Sequence, residues 1–463
     1  MTDLQKTTSP VDGRVYVERP LADESSIDRC LGAAVIAQRA WAAQPLAQRV
    51  AILSLAVDAF VASGTEIAAE ITWQMGRPIR HSPGEVRGFE ERSRYMLRLA
   101  ASALAPIVPE EKAGFRRQIK RVPLGVVAVI APWNYPYLTA VNAVLPALIA
   151  GNSVILKHSH QTPLCAERFA AAFAAAGLPP GVFQYLHLSH AATARLMADQ
   201  RIANVCFTGS VAGGHSVVQS TAGGFATSGL ELGGKDPAYV RHDANLEQAI
   251  ETLTDGAFYN AGQSCCGIKR IYVARERFDA FVEGVVALTH QYRLGSPLDA
   301  ETTLGPVVRT SAADAVRAQV AAAVRDGARQ LIDAKRFDHA RAGTPYLAPQ
   351  VLIDVNHGMS IMQEETFGPA VGIMKVGSDA EAVRLMNDSD FGLTAAVFSG
   401  DIGASESIAD QLETGTVFLN RCDYLDPALA WTGVKRSGRG CTLSRVGFEQ
   451  LTRPKSYHFR VPA

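Results

Sequence analysis

The chain has 463 residues, more than the roughly 250–300 at which a single hydrophobic core stops growing, so two or more domains are expected. Hydrophobic residues make up 48% and charged residues 19%, and 45 Lys and Arg balance 45 Asp and Glu. This formal net charge of zero gives no reason to expect nucleic acid or an acidic membrane surface as a partner.

The first residues contain no basic segment followed by a long apolar run, so the sequence predicts neither a secretory signal nor an Arg-rich transit peptide. The most apolar stretches, such as 124–131, are far shorter than the roughly 20 residues needed to cross a bilayer. We therefore expect a cytoplasmic protein with no membrane span.

The seven cysteines are odd in number and scattered, unlike a disulfide framework. Cys and His do not cluster at zinc-binding spacing, so no metal site is expected. We expect small buried side chains at every cysteine except Cys265. The cysteines are Cys30, Cys165, Cys206, Cys265, Cys266, Cys422 and Cys441.

In chain order, residues 25–76 are Ala-rich with a helical period, which predicts packed amphipathic helices. Residues 118–122 alternate in polarity and residues 125–131 form a β-branched apolar run, which predicts two strands. Residues 138–208 then alternate between helices and strands. The predicted helices are 138–150, 163–176 and 191–199, and the predicted strands are 154–157, 182–186 and 205–208.

Strands separated by helices of this length indicate a parallel sheet built from βαβ units, as in dinucleotide-binding domains. Fold alone does not establish function. A second alternating series follows residue 233, with helices at 246–257 and 278–294 and strands at 270–273 and 351–355. Residues 455–461 are strand-like and able to extend the sheet of another subunit. The fold class is therefore α/β.

Four short segments, in a fixed order along the chain, closely resemble the aldehyde dehydrogenase superfamily. They are Pro-Trp-Asn-Tyr-Pro at 132–136, Glu-Leu-Gly-Gly-Lys at 231–235, Gly-Gln-Ser-Cys at 262–265 and Glu-Thr-Phe-Gly-Pro at 365–369. Any one of them is weak evidence, but four in register are highly specific. The resemblance runs from about residue 20 to the carboxyl terminus.

The resemblance implies a Rossmann-type cofactor domain, a second α/β catalytic domain and a small β element for oligomerisation. The dinucleotide-binding domain is expected at 1–104 and 124–232, the catalytic domain at 233–433, and the oligomerisation strands at 105–123 and 453–463. A homodimer or homotetramer is expected.

Three catalytic residues are implied by the resemblance. Cys265 is the nucleophile, whose attack on an aldehyde gives a thiohemiacetal that loses hydride and becomes a thioester. Asn134 and the backbone N–H of Cys265 stabilise the developing alkoxide, and Glu231 activates the water that hydrolyses the thioester. Without the resemblance, Cys265 is a structural thiol, Asn134 a turn residue between prolines, and Glu231 a surface partner of Lys235.

The cofactor is expected to be NAD or NADP. Gly209 and Ser210 end a predicted strand and begin a helix whose N–H groups can face a pyrophosphate. No Gly-x-Gly-x-x-Gly fingerprint is present, which fits the resemblance. NAD-specific members commonly carry Glu where this chain has His160, so the restraint against a 2′-phosphate is missing. The implied cofactor contacts are Trp133, Lys157, His160, Gly209, Ser210, Glu365 and Phe367.

The resemblance also implies a substrate tunnel lined by Tyr135, Asn142, Tyr259, Ser264, Leu425 and Trp431, together with Leu138 and Thr139. Aromatic bodies with polar tips favour a medium-sized aromatic or hydroxylated aldehyde. Arg421 is a candidate partner for a substrate carboxylate, and an equally good interpretation places it in solvent. No individual substrate is predicted.

Two charges of a proton route found in many members are missing. The matching Lys and Glu positions are Ala143 and Thr442 here. Losing both together avoids leaving one buried ion without a partner. The sequence therefore leaves the route by which Glu231 loses its proton open.

The expected reaction is oxidation of an aldehyde to the free acid, because acylating members that use coenzyme A often lack a carboxylate at the Glu231 position. A coenzyme A-acylating enzyme is the first alternative. A non-catalytic nucleotide-binding homologue is the second, and the presence of Cys265, Glu231 and Asn134 argues against it.

Overall fold

The structure of the protein, a computed structural model, describes residues 3–462. Met1, Thr2 and Ala463, at the ends of the predicted ranges 1–104 and 453–463, lie outside the described residues. Within 3–462 no single helix has the length and apolar character to cross a membrane; only two helices taken together, joined at a sharp bend, meet these limits.

The N-terminal part of the chain is an antiparallel hairpin followed by four helices, in agreement with the helices predicted for 25–76. A long strand, β3, comes after them. The elements are β1 (Leu4–Thr8), β2 (Val15–Pro20), α1 (Glu24–Ala43), α2 (Leu46–Ala62), α3 (Gly64–Met75), α4 (Pro83–Ala103) and β3 (Phe115–Pro123). Trp41, Phe60 and Phe89 from these helices are buried in the core on one face of the next sheet.

Five parallel strands form that sheet, and helices connect them. The elements are β4 (Val126–Ile130), α5 (Pro136–Ala150), β5 (Ser153–Lys157), α6 (Leu164–Ala175), β6 (Phe183–Tyr185), α7 (His190–Ala198), β7 (Ile202–Thr208), α8 (Val211–Thr221) and β8 (Thr227–Glu231). Every predicted helix and strand of this region is present, with ends within three residues of the prediction. All five residues of β4 and of β5 are buried, which explains their continuous apolar sequences.

A second sheet has seven strands in the order β11-β12-β13-β10-β9-β15-β16, and all neighbours are parallel except β11 and β12. Its elements, with their helices and a short strand β14, are β9 (Asp236–Val240), α9 (Leu246–Phe258), β10 (Ile268–Ala274), α10 (Phe278–Thr289), α11 (Thr310–Arg325), β11 (Arg329–Gln330), β12 (Gln350–Ile353), α12 (Ser360–Gln363), β13 (Ala370–Val376), α13 (Asp379–Asn387), β14 (Phe391–Gly392), β15 (Thr394–Phe398), α14 (Ile402–Ala409) and β16 (Thr416–Leu419).

The prediction of a helix from 278 to 294 was wrong at its end, because α10 ends at Thr289. Beyond that point the chain pairs with a later segment: the carbonyl of Arg293 accepts hydrogen bonds from the N–H groups of Thr303 and Leu304. The apolar period of the helix continues into this turn, so the sequence pattern alone does not mark the boundary.

The last part of the chain returns to the first sheet. Its elements are β17 (Val434–Lys435), β18 (Gly438–Arg439), α15 (Ser444–Glu449) and β19 (Thr452–Arg460). Strand β18 pairs antiparallel with β8, placing Gly438 opposite Glu231. Strand β19 pairs with β3 of the same chain from Thr452 opposite Pro123 to Arg460 opposite Phe115. The predicted boundary at 232/233 falls between strands of different sheets, and the predicted domain division stays a prediction.

Candidate active site

Cys265 lies in a loop of left-handed backbone, defined here as the nucleophile loop, residues 259–267. Asn260, Ala261 and Gly262 have φ values of 53°, 55° and 67°. A Cβ on Gly262 would lie 2.3 Å from the carbonyl oxygen of Gly368, so only glycine fits there. The buried ammonium of Lys269 donates to the carbonyls of both glycines, at 2.8 and 2.9 Å. The loop is therefore held against the segment that contains Glu365 and Phe367.

The two neighbouring cysteines have different surroundings. Cys265 is partly exposed and lines a cavity of about 570 Å³. Cys266 is 3% exposed, and its thiol donates to the carboxylate of Asp423 at 2.8 Å. Contact with the Cys265 thiol and burial raise the pKa of Cys266 well above its usual value. Since the thiolate is the reactive form, Cys265 is the better placed nucleophile.

Asn134 is fixed beside the nucleophile loop. Its side-chain amide donates to the carbonyl of Gln263 at 3.2 Å, and its backbone carbonyl accepts from Asn260 at 3.1 Å. Gln263 is held in turn, because its side chain accepts from the N–H of Val308 at 2.8 Å. An amide group has two N–H bonds, so Asn134 keeps a second donor for a substrate oxygen.

A buried ion pair between Arg77 and Glu85 holds Asn134 and the nucleophile loop in place. Arg77 donates to the backbone carbonyl of Asn134 and to the side chain of Asn260. Glu85 accepts from Arg77 and from the N–H groups of Tyr137 and Leu138, in the first turn of α5. The carboxylate thereby satisfies donors that every helix leaves free at its N-terminus.

We predict that Glu85→Ala lowers the free energy of unfolding by about 3–5 kcal/mol, because the buried guanidinium of Arg77 then has no counterion. Glu90→Ala is the control, since Glu90 pairs with Arg94 near the surface and should cost at most about 1 kcal/mol. Urea unfolding of the two variants measures the difference. Equal losses would contradict the role assigned to the buried pair.

Glu231 ends β8 and also lines the cavity that contains Cys265. Both of its carboxylate oxygens accept threonine hydroxyls: Thr442 donates to one at 2.6 Å and Thr208 to the other at 3.0 Å. Burial raises the pKa of Glu231, and the two hydroxyls oppose this rise. A carboxylate with a raised pKa is a suitable general base near neutral pH.

The glycines that follow Glu231 allow close backbone approach. A Cβ on Gly234 would lie 2.1 Å from the carbonyl oxygen of Cys265, and a Cβ on Gly233 would lie 2.4 Å from the Glu365 carboxylate. The N–H of Gly234 donates to that carboxylate at 3.3 Å. Three of the four predicted segments therefore meet here. The fourth joins them through Trp133, whose ring packs edge-on against Phe367 at 5.5 Å.

The first turn of α8 was predicted to face the pyrophosphate. Ser210 is its N-cap and accepts from the N–H of Gly213 at 3.2 Å. The N–H of Gly209 donates instead to the backbone carbonyl of Glu231, at 3.0 Å. Gly209 therefore joins the cofactor segment to the segment of the base, and its N–H group is not free for a phosphate.

Lys157 and His160 lie together after β5. Burial lowers the pKa of Lys157 to about 8, and within residues 3–462 its ammonium forms no ion pair. The His160 ring is half-buried and its Nε2 lies 2.7 Å from the carbonyl of Leu188, so Nε2 carries the proton. A neutral His160 ring in this orientation has no second N–H to donate to a 2′-phosphate, because its one N–H is bonded to Leu188.

Seven of the eight residues predicted for the substrate tunnel line the 570 Å³ cavity: Tyr135, Leu138, Thr139, Asn142, Tyr259, Leu425 and Trp431. Ser264 does not belong to this lining in the part of the chain that the structure describes, because its buried hydroxyl turns to Asp423 at 3.3 Å. Arg421 is exposed, is absent from the lining over the same residues, and stacks on the ring of Tyr424 at 4.1 Å.

Comparison with known proteins agrees with this geometry. The model of the aldehyde dehydrogenase family matches residues 2–457. The chain belongs to the aldehyde dehydrogenase family. The four motifs of this aldehyde dehydrogenase thus lie within one match that spans nearly the whole chain.

Individual relatives of this aldehyde dehydrogenase carry different names. A succinate-semialdehyde dehydrogenase [NADP(+)] of Deinococcus radiodurans is 33% identical over 97% of this chain and 93% of the relative. Betaine aldehyde dehydrogenase 2 of Rhizobium meliloti is 32% identical over 97% of this chain and 93% of that relative. The crystal structure of succinic semialdehyde dehydrogenase from Streptococcus pyogenes with NADP+ matches with a TM-score of 0.94 and 28% identity, over 98% of this chain and 100% of that one.

Several supporting residues of this aldehyde dehydrogenase were not predicted. Arg77, Glu85, Asn260 and Asp423 hold the catalytic segments but belong to none of the four motifs. Asn260 carries the one available signal, since it is a polar residue shortly before Gly262 and Asn is enriched at positive φ.

Proposed function

We propose that this chain oxidises an aldehyde to the free carboxylic acid through a thiohemiacetal and a thioester on Cys265. The observation that carries the proposal is that Cys265 and Glu231 line one cavity while Asn134 is bonded to the nucleophile loop beside it. The test is reduction of NAD or NADP on addition of an aldehyde, with equimolar acid formed in the absence of coenzyme A.

In the first half of the reaction the Cys265 thiolate forms a bond to the aldehyde carbon, and the carbonyl oxygen becomes an alkoxide. The free N–H of Asn134 and the backbone N–H of Cys265 stabilise that charge, each typically worth about 3–4 kcal/mol. The dinucleotide, when bound, accepts the hydride that leaves the carbon. The product of this half is a thioester, and the carbon has lost two electrons.

In the second half Glu231 removes a proton from water, the resulting hydroxide adds to the thioester carbon, and the C–S bond breaks. The acid leaves and the Cys265 thiolate is restored. A carboxylate in this position favours hydrolysis over transfer to coenzyme A. A non-catalytic role is disfavoured because the nucleophile and the base line one cavity and the amide of Asn134 is bonded to the nucleophile loop.

We propose that both NAD and NADP serve as cofactor. The buried Lys157 ammonium has no carboxylate partner in the described chain, and no carboxylate at residue 160 repels a 2′-phosphate. The relative from Deinococcus radiodurans is an NADP(+) enzyme by name, and the Streptococcus pyogenes structure is a complex with NADP+ as the cofactor. The adenosine end of the site therefore suits either dinucleotide.

We predict that His160→Glu lowers kcat/KM for NADP by about tenfold or more, with a much smaller effect for NAD, because the new carboxylate repels the 2′-phosphate. His160→Gln is the matched control, since it adds no charge. Burial lowers the pKa of His160, so the ring is neutral at neutral pH and protonation adds a charge only in acidic solution. Initial rates with both dinucleotides at several pH values measure the ratio, and an unchanged NADP/NAD ratio in His160→Glu contradicts the assignment.

We propose a neutral aldehyde with hydroxyl or aromatic groups as the substrate class. The cavity is lined by the carboxyl groups of Asp255 and Asp423 as well as by Arg87 and Arg92, so it has no excess of positive charge to bind an anionic tail. Within residues 3–462, the Tyr135 hydroxyl and the Asn142 Nδ2 are buried without hydrogen-bond partners. Arg92 donates to the Asn142 Oδ1 at 3.3 Å, which leaves the NH₂ group to face a substrate acceptor.

Assembly and location stay predictions. The paired strands β3 and β19 form a nine-residue ribbon suited to contact with a second copy, as a homodimer or homotetramer requires. Light scattering of the full-length protein measures the assembly, and cell fractionation tests the cytoplasmic location.

A further inference from the structure

A second, smaller cavity lies behind Glu231, and we call it the exit cavity. Its volume of about 30 Å³ holds roughly one or two water molecules. Thr139, Thr208 and Glu231 line both this cavity and the one that contains Cys265. The base therefore stands in the wall between the two, with the nucleophile on one side only.

The exit cavity reaches the protein surface. Arg439 and Gln450 are among its lining residues, and both are exposed. Ala143 and Thr442 also line it, and these are the two positions where the family resemblance led us to expect charged residues. The small side chain of Ala143 leaves the volume open.

The Thr442 hydroxyl connects the base to this cavity, because it donates to Glu231 at 2.6 Å and lines the exit cavity. A hydroxyl has one proton to donate and two lone pairs that accept, so it can receive a proton from one side while it gives one to the other. Thr208, at 3.0 Å from the second oxygen, has the same capacity.

Other groups at the exit cavity are poor proton carriers at neutral pH. Burial raises the pKa of Cys206 to about 12 and that of Cys441 to about 11, so both remain thiols. Arg439, on β18, presents a guanidinium to the exit cavity, and this group has donors only and no acceptor for a proton. Threonine hydroxyls and water remain as the carriers.

We propose that Thr442 and water in the exit cavity carry the proton from Glu231 to solvent after thioester hydrolysis. The proton that Glu231 takes from the attacking water moves to the Thr442 oxygen, and the Thr442 hydroxyl proton moves to a water of the exit cavity. One proton leaves per turnover and Glu231 is restored as a carboxylate. This inference rests on the proposed function.

Two variants test the route. Thr442→Val removes the hydroxyl at constant shape, with Thr442→Ser as the control that keeps it. Ala143→Leu fills the exit cavity without removing any hydrogen bond to Glu231. The measurement is the decay of the acyl-enzyme, followed by rapid quench and mass spectrometry after a single turnover in H₂O and in D₂O.

We expect Thr442→Val and Ala143→Leu to slow acyl-enzyme decay by about tenfold or more and to change its solvent isotope effect, with dinucleotide affinity and the first release of reduced cofactor unchanged. Thr442→Ser should decay at nearly the wild-type rate. Small buffer acids and bases should partly restore the rate of acyl-enzyme decay in Thr442→Val.

Acyl-enzyme decay at the wild-type rate in both variants would overturn the exit route. Slower decay with an unchanged solvent isotope effect would also overturn it, because that result indicates only a structural role for Thr442. If Ala143→Leu fails to fold, the decay rates and solvent isotope effects of Thr442→Val and Thr442→Ser still test the exit route. Absence of any acyl-enzyme in the wild-type protein contradicts the proposed function itself, and is therefore distinct from failure of the exit route.

Discussion

Cys265→Ala is expected to lower aldehyde oxidation by a factor on the order of 10⁴ or more, because no covalent intermediate can form without the thiolate. Folding and dinucleotide binding should be unchanged, since the Cys265 side chain lines the 570 Å³ cavity and the loop is held by hydrogen bonds of Lys269, Asn134 and Gln263. Steady-state rates with a reactive aldehyde, and dinucleotide affinity by fluorescence, measure the two effects.

The matched control is Cys266→Ala. Its thiol lies beside the nucleophile but is buried and bonded to Asp423, and its raised pKa keeps it protonated. Most of the activity should remain. The assignment of the nucleophile is wrong if Cys266→Ala is inactive while Cys265→Ala turns over normally.

Glu231→Gln is expected to release one equivalent of reduced cofactor per site and then to stall, because only hydrolysis needs the base. Steady-state turnover should fall by about 10²–10⁴-fold. The amide is nearly the same size as the carboxylate, and the hydroxyls of Thr442 and Thr208 can each accept as well as donate, so the local structure should be preserved.

Stopped-flow absorbance measures the burst, and mass spectrometry locates the acyl group on Cys265. Glu247→Gln serves as the control, since this exposed residue lies in the first turn of α9 and should not affect either phase. A Glu231→Gln protein with no burst would mean that Glu231 acts before hydride transfer or holds the site together.

The alternating parts of the fold were predictable because their signals are local. Strands β4 and β5 are buried along their whole length and therefore have continuous apolar sequences, and helices of ordinary length separate the strands. The two-residue strand β18 gave no such signal, although it brings the C-terminal segment against Glu231. The end of α10 was also missed, because its boundary depends on pairing with residues 303–304.

The candidate site was predictable only in its motif residues. The contacts that hold them join residues far apart in sequence: 183 positions separate Arg77 from Asn260, 157 separate Cys266 from Asp423, and 211 separate Thr442 from Glu231. Such contacts have no period along the chain. The orientation of the His160 ring could not be predicted either, because its partner is the backbone carbonyl of Leu188, and a backbone carbonyl carries no sequence signal.

The most direct test of the central claim is a product balance with the purified full-length protein. Neutral hydroxylated, aromatic, anionic and cationic aldehydes are supplied with NAD or NADP, and both reduced cofactor and free acid are measured with and without coenzyme A. Equimolar reduced cofactor and acid without coenzyme A, fastest with a neutral aldehyde, is the predicted result. Reduction that requires coenzyme A and yields its thioester, or no reduction with any aldehyde, would contradict the account.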